Sequence, residues 1–477
     1  MSETTLPASR TAGAATAARP RTGVALAILL TCQVMFVLDI TVMNVALPRI
    51  QADLGFTPAS LSWVMSSYTL VFGGLLLLGG RAGDLFGRKR LFIGGVLLFT
   101  VASFAGGLAG SAALLIAARI VQGLGAAAAG PSTLALLTTT ITEPRARLRA
   151  LALFAGMSSA GFAVGLILGG LLTEWLSWRA VLFINVPFGL VVAVLATRFV
   201  AEPPRHPARL DLPGAVTGTL GVAALVYGFI RAAEVGWTNG LTVAALAAGA
   251  VLIGAFLAVE ARTAQPLLPL RLFRDRNRAA AYANFFFGPM IGMSMFFFLT
   301  QYLQDVRGMS ALGTGFAFLP MAVLVFVLSR IIPRLLPRFG PQPIAIAGTL
   351  SMIAGLAWAT QLEAGSTYAG GVLGPMILMG LGMGLAFAPL SVIIMSNVPG
   401  PDAGAAGGVM QTLQQTGSTL GLAILVTIFG TAGRAATGGP HEVMVSGMTA
   451  AFTGSIVIAC LTFVVALTFR REPERTA

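Results

Sequence analysis

"FVLDITVMNVALP" (36–48) decides how this chain is read. It continues an apolar run that starts at Gly23 and is long enough to cross a bilayer, yet it carries an aspartate, Asp39, in its outer third. An ionised carboxylate in hydrocarbon costs about 2.5 to 3.5 kcal/mol on insertion scales. Its presence there asks for a use.

The surrounding sequence has the same apolar character. Of 477 residues, 56% are hydrophobic and 10% charged, where a soluble domain has about 25% charged. Fourteen runs can each span a hydrocarbon core about 30 Å thick: 23–47, 61–80, 91–109, 112–139, 150–172, 180–197, 212–230, 241–260, 279–304, 313–332, 342–360, 369–396, 403–432 and 446–469. The expected fold is therefore an all-α polytopic membrane protein with fourteen transmembrane helices.

A net charge of +13 could suggest nucleic acid, but the basic residues segregate by side. With the N-terminus inside, 24 of the 30 Lys and Arg fall in the two tails and the inner loops. Only Arg49, Arg179, Arg231, Arg307 and Arg434 fall in outer loops, and Arg119 lies within a helix. That bias places both termini in the cytoplasm and makes the lipid bilayer, with no nucleic acid, the expected partner. Residues 1–22 read as a retained cytoplasmic tail, because the helix that follows is too long for a signal peptide and lacks a small-residue cleavage site. Residues 471–477 read as the second tail. Arginine outnumbers lysine 29 to 1 amid abundant Ala and Gly, which suggests a GC-rich bacterial genome and hence a bacterial plasma (inner) membrane.

Several chemistries drop out. A phosphate-binding Walker A loop needs Gly-Lys-Ser/Thr, and the only lysine, Lys89, precedes Arg90. Both histidines, His206 and His441, lie outside the spans, so neither a histidine metal site nor a serine–histidine triad fits within the membrane. Cys32 and Cys460 fall inside spans and indicate no disulfide framework. No metal or cofactor is expected, and an embedded lipid-processing enzyme is the weaker class.

The chain repeats itself. "ARIVQGLGAAAAGP" (118–131) is echoed by "PMILMGLGMGLAFAP" (375–389) at an offset near 257, and Gly165 and Gly169 recur as Gly417 and Gly421. "DLFGRK" after the second run is echoed by "PRFGPQ" after the tenth. These echoes divide the chain into a six-helix bundle (23–200), an inserted pair with its linkers (201–278) and a second six-helix bundle (279–470). Halves with an even number of helices share one orientation and are related by an axis along the membrane normal, with a substrate cavity between them. Where helix 4 has Arg119 and Gln122, helix 12 has Met376 and Met379. Charge handling thus belongs to the first half.

Asp39 lies about eight residues from the outer end of its helix and Arg119 about seven from the outer end of helix 4, so at 1.5 Å per residue both sit roughly 10 to 12 Å deep. Shared depth predicts that they pair. Burial disfavours the charged carboxylate while a neighbouring guanidinium favours it. A rearrangement that separates the two would load a proton, and renewed contact would release it. Asp39 and Arg119 are the proton-coupling candidates; Asp211 and Asp305, at span ends, are secondary ones. A static ion pair is the alternative.

"GGRAGDLFGRKR" (79–90) reads as a short inner loop with Gly80, Gly83 and Gly87 at tight turns, Asp84 just ahead of helix 3 and a basic trio from Arg88. This loop resembles the signature of the major facilitator superfamily, Gly-x-Leu-x-Asp-Arg-x-Gly-Arg-Lys, at Gly80, Asp84, Gly87, Arg88 and Lys89, with Ala82 and Leu85 where Leu and Arg are usual. "LDITVMNVALP" is similar to the first-helix motif of the superfamily's 14-helix drug:proton antiporters, at Leu38, Asp39, Thr41, Asn44, Ala46, Leu47 and Pro48. "RIVQGLGAA" resembles the helix 4 motif at Arg119, Gln122, Gly123 and Gly125, and "WRAVLFINVPFG" (178–189) the segment opening helix 6. The antiporter motif of helix 5, Gly-x-x-x-Gly-Pro-x-x-Gly-Gly, is matched by "GFAVGLILGG" at Gly161, Gly165, Gly169 and Gly170, with Leu166 in place of the proline.

The resemblance implies the major facilitator fold and a secondary transporter driven by the proton gradient rather than an enzyme. It also implies an inner latch at Asp84 and Arg88, and export as the direction. Met and Phe suit large hydrophobic or cationic ligands. The expected cavity residues are Asn44, Gln122, Phe287, Phe296, Phe297, Gln301, Gln304, Met376, Met379 and Gln411. A monomer exporting hydrophobic, cationic or amphipathic drugs is the leading expectation. The alternatives are a specific exporter of one endogenous metabolite, and an importer or sensor on the same scaffold.

Overall fold

Apolar runs that cannot hydrogen-bond to lipid must satisfy their own backbone, and the helix does so. In the computed structural model, which describes residues 18–141, 143–204, 210–263, 265–395, 398 and 403–469, the long regular elements are helices. In order they are α1 (Ala18–Leu54), α2 (Ser62–Phe86), α3 (Arg88–Gly107), α4 (Ala112–Thr140), α5 (Pro144–Trp175), α6 (Ala180–Phe183), α7 (Asn185–Phe199) and α8 (Leu212–Val235). There follow α9 (Gly240–Arg262), α10 (Arg276–Gln301), α11 (Ala311–Ala317), α12 (Leu319–Phe339), α13 (Pro341–Ala359), α14 (Leu373–Met395), α15 (Ala403–Ala435) and α16 (Pro440–Leu467). Among the described residues, thirteen helical segments are long and apolar enough to cross a membrane, with α6–α7 and α11–α12 each counting as one broken span. The 32-residue α5 supplies a further pass, apolar over Ala160–Trp175. The tails expected at 1–22 and 471–477 fall largely or wholly outside the described residues.

Polar side chains at the loops start the helices. Ser111, Glu143, Asn239, Asp275 and Ser310 each accept a hydrogen bond from a first-turn backbone N–H of the helix that follows, which satisfies donors with no partner inside the helix. Outward faces carry large apolar side chains, such as Val101, Leu176 and Val251, as expected of surfaces that meet lipid.

The sequence echoes pack equivalently. A Cβ on Gly123 would lie 2.7 Å from the Tyr68 carbonyl oxygen of α2, and one on Gly380 would lie 2.9 Å from that of Met321 in α12. Gly125 faces the Gly95 carbonyl of α3 as Gly382 faces that of Gly348 in α13. Gly165 and Gly169 sit against Thr41 and Val42 of α1, and Gly417 and Gly421 against Phe286 and Met290 of α10. α8 packs on both α2 and α15, while α9 lies outside it, with Gly218, Gly221 and Gly228 of α8 against Phe256, Ile253 and Leu246.

At the end of the bundle opposite the start of α1, residues of both halves form one core, with Val42–Ile50 and Leu166 packed among Phe296–Leu303 and Phe318. At the other end the cores are separate: one is built on Ala25, Phe36, Phe92 and Leu136, the other on Leu272, Tyr282, Ala345 and Val409. The seams of α2 with α15 and α5 with α12 run between them.

Candidate functional site

Three helices, α1, α4 and α7, converge on one carboxylate. Arg119 and Gln122 stand one turn apart on α4 and so share a face. The glycines that follow, Gly123 and Gly125, let α4 approach α2 and α3 at backbone contact, which carries both side chains inward. Asn185 opens α7 just past the break after α6. Asp39 comes from α1.

The Arg119 Nη1 donates to Asp39 Oδ2 at 2.5 Å. Gln122 Nε2 and Asn185 Nδ2 donate to Asp39 Oδ1 at 3.1 and 2.9 Å. Arg119 also donates through Nε to the Val64 carbonyl at 2.9 Å and through Nη1 to Gln122 Oε1 at 3.0 Å. Its guanidinium carbon lies 4.4 Å from the centre of the Tyr68 ring, a cation–π contact. Gln122 Nε2 lies 2.7 Å from Ser103 Oγ. Asp39 is 1% exposed and Arg119 fully buried, so the pairing predicted from depth is present and dry. Two polar groups there have no partner: Arg119 Nη2 and the Tyr68 hydroxyl. Asn185 is one of the matched residues of the 178–189 segment, for which the sequence predicts no site role. Ser103 and Tyr68 gave no signal in the sequence.

The 79–90 segment differs from its reading as a loop. Gly80, Gly83 and Asp84 belong to α2, and the turn is Gly87 alone, at φ 106°. Gly83 packs on Ser132 of α4. Asp84 occupies the last turn of α2, where the helix dipole disfavours an acid, and Arg88 Nη2 compensates at 2.5 Å. The acid at the start of α3 is Glu202, whose Oε1 accepts from Lys89 N at 3.2 Å. Lys89 Nζ donates to the Thr197 carbonyl in the last turn of α7 at 2.8 Å, where a cation is favoured. Arg81 Nη2 donates to the Pro266 carbonyl in the linker before α10.

Of the helix 5 glycines, Gly161, Gly165 and Gly169 face α1, and Gly170 faces Leu312 and Ala311 of α11 in the other half. Leu166 is buried within an unbroken α5, its carbonyl against Gly315.

The expected cavity residues fall into three groups. Asn44, Gln301 and Gln304 join Thr300 where the halves meet: Thr300 Oγ1 donates to Asn44 Oδ1 at 2.6 Å, and Gln304 Nε2 to the Val45 carbonyl at 2.8 Å. Gln301 is buried beside them with Oε1 unpaired. Phe296, Phe297, Met376 and Met379 are packed inside that shared core rather than lining an open wall, because they lie at the end where the halves touch. Phe287 packs with Val226, Ile230 and Leu420, against the inserted α8. Gln122 belongs to the Asp39 cluster and Gln411 is exposed on α15. Gln415 faces Gly73 of α2, which turns that side of α15 toward the first half.

A membrane bundle whose halves share a core at one end only, with a sealed acid–base cluster in one of them, defines a membrane transporter. The chain belongs to the Major Facilitator Superfamily, whose family model matches residues 29–422. It is 42% identical over 458 residues to the cephamycin export protein CmcT of Amycolatopsis lactamdurans, covering 94% of this chain and 93% of that protein. It is 42% identical over 415 residues to the puromycin resistance protein pur8 of Streptomyces alboniger, covering 86% and 82%. Among solved structures, an auto-inhibited POT family peptide transporter shares the fold with a TM-score of 0.67 at 16% identity, over 96% of this chain and 99% of that one.

Proposed function

We propose that the protein is a proton-coupled antiporter that exports hydrophobic, cationic or amphipathic small molecules across a bacterial plasma membrane, with both termini in the cytoplasm. The observation that carries this reading is Asp39, buried among Arg119, Gln122 and Asn185. Removing one partner from a buried ion pair costs about 3–5 kcal/mol, so neutralising Asp39 strips Arg119 of its counter-charge and drives rearrangement. Moving one charge across 100 mV supplies about 2.3 kcal/mol, enough to bias a cycle whose two states differ by little.

The two six-helix bundles, 23–200 and 279–470, would rock about the shared core, exposing the space between them to one side at a time. With the termini inside, the end where both halves share one core is the outer one. Among the described residues Asp84 and Arg88 pair with each other, as a latch released from the other half would. Proton and cationic substrate compete for the site, and exchange follows from that competition. The name of the first relative supports export of an antibiotic, and that of the second supports resistance to one. The first is also in keeping with the narrower reading, a specific exporter of one compound.

Cells expressing the protein should accumulate less of a fluorescent lipophilic cation than cells lacking it, and a protonophore should abolish the difference. A difference that survives collapse of the gradient would overturn proton coupling; higher accumulation would overturn export.

A further inference from the structure

A pair of buried acids lies far along the chain from Asp39. Asp211 caps the start of α8, its Oδ1 accepting from Gly214 N at 2.9 Å. Glu260 closes the last turn of α9, its Oε2 accepting from Leu268 N in the linker at 2.8 Å. They are 5% and 2% exposed. In each carboxyl the other oxygen, Asp211 Oδ2 and Glu260 Oε1, is buried with no hydrogen-bond partner among the described residues. Both of these oxygens point to one place: each lies 2.7 Å from the position a Cβ would take on Gly214, so they are separated by no more than twice that distance.

Two ionised carboxylates in one dry site repel strongly, and each unmet acceptor carries its own desolvation cost. One proton removes both problems. It turns one oxygen into a donor to the other, so a single hydrogen bond meets both acceptors.

We propose that Asp211 and Glu260 hold one proton between them, a second protonation site of this protein, located in the inserted helix pair. Its lever is short. Glu260 grips the linker at Leu268, and two residues earlier the Pro266 carbonyl accepts from Arg81 of α2, which lies within the 79–90 segment. Loss of the proton sets two anions against each other and loosens that grip. Other charged groups nearby are Arg271 and Arg274, beside Glu260 on the linker, and Arg262 on α9; Arg205, His206 and Arg209 precede Asp211 outside the described residues.

The test is infrared difference spectroscopy of the full-length protein in liposomes, in an Asp39→Asn background so that Asp39 contributes no signal. A protonated-carboxyl band should persist at neutral pH and disappear in Asp211→Asn and in Glu260→Gln alike, because either amide supplies the missing donor and leaves the surviving acid ionised. Loss in only one variant would assign the proton to a single acid and overturn the shared site; a band untouched by both would overturn it as well. Hydrogen exchange of linker residues 265–275 in the wild type, corrected for intrinsic rates, gives a readout without substitution. Protection should fall as pH rises and stay constant in the two amide variants. Protection retained at high pH with sodium but lost with choline would replace the proton by a metal cation.

Discussion

Asp39 accepts three hydrogen bonds, and each donor comes from a side chain that can be removed singly. Arg119→Lys keeps the charge but loses the planar fork that reaches the Val64 carbonyl and Asp39 together, since lysine offers a point charge. A hydrogen bond to a charged group is worth about 1.5–3 kcal/mol, so gradient-driven transport should fall at least about tenfold at unchanged expression; wild-type rates would show that charge alone suffices. Asn185→Ala should lower the unfolding free energy by a similar 1.5–3 kcal/mol, read as a drop in Tm of the detergent-solubilised protein. An unchanged Tm would show that the acid does not need that amide. The Asp39–Arg119 pair was legible because helix rise converts residue count into depth. Asn185 was not, because its place depends on the break between α6 and α7, which no periodicity reveals.

Helix contacts depend on where glycine is forced. A Cβ on Gly169 would lie 2.8 Å from the Val42 Cα, a backbone atom, whereas one on Gly161 would meet only the Val37 side chain at 3.4 Å. Gly169→Ala should therefore destabilise the α1–α5 contact by about 1–3 kcal/mol and Gly161→Ala by little, a contrast that thermal unfolding of the two variants checks; equal Tm values would contradict it. The same logic explains the misplaced loop at 79–90. Several glycines in a short stretch read as turn signals in water, but in membrane helices small residues serve close approach. Gly80 and Gly83 are helical and only Gly87 turns the chain. Leu166 stands where the helix 5 motif has proline, and α5 is continuous through it.

Across the whole molecule, the fourteen runs were legible because lipid demands long apolar helices, and the internal echoes were legible because equivalent contacts use glycine at equivalent depths. Which end is closed was not, since residue type alone does not separate a side chain that lines a cavity from one that packs in a core; Phe296 and Met376 pack in the core. The closed end is tied across the halves by Leu312 N donating to Glu174 Oε2 at 2.9 Å, and by Gln304 to the Val45 carbonyl. Glu174→Ala combined with Gln304→Ala should widen the distance between spin labels placed at 55–61 and 307–310; an unchanged distribution would show that apolar packing and the Thr300–Asn44 bond hold that end without them. The most direct measurement is transport by Asp39→Asn protein reconstituted in vesicles with an imposed pH gradient. The predicted result is loss of gradient-driven substrate movement with substrate-for-substrate exchange retained, and full gradient-driven transport by the variant would contradict the assignment of Asp39 as the coupling acid.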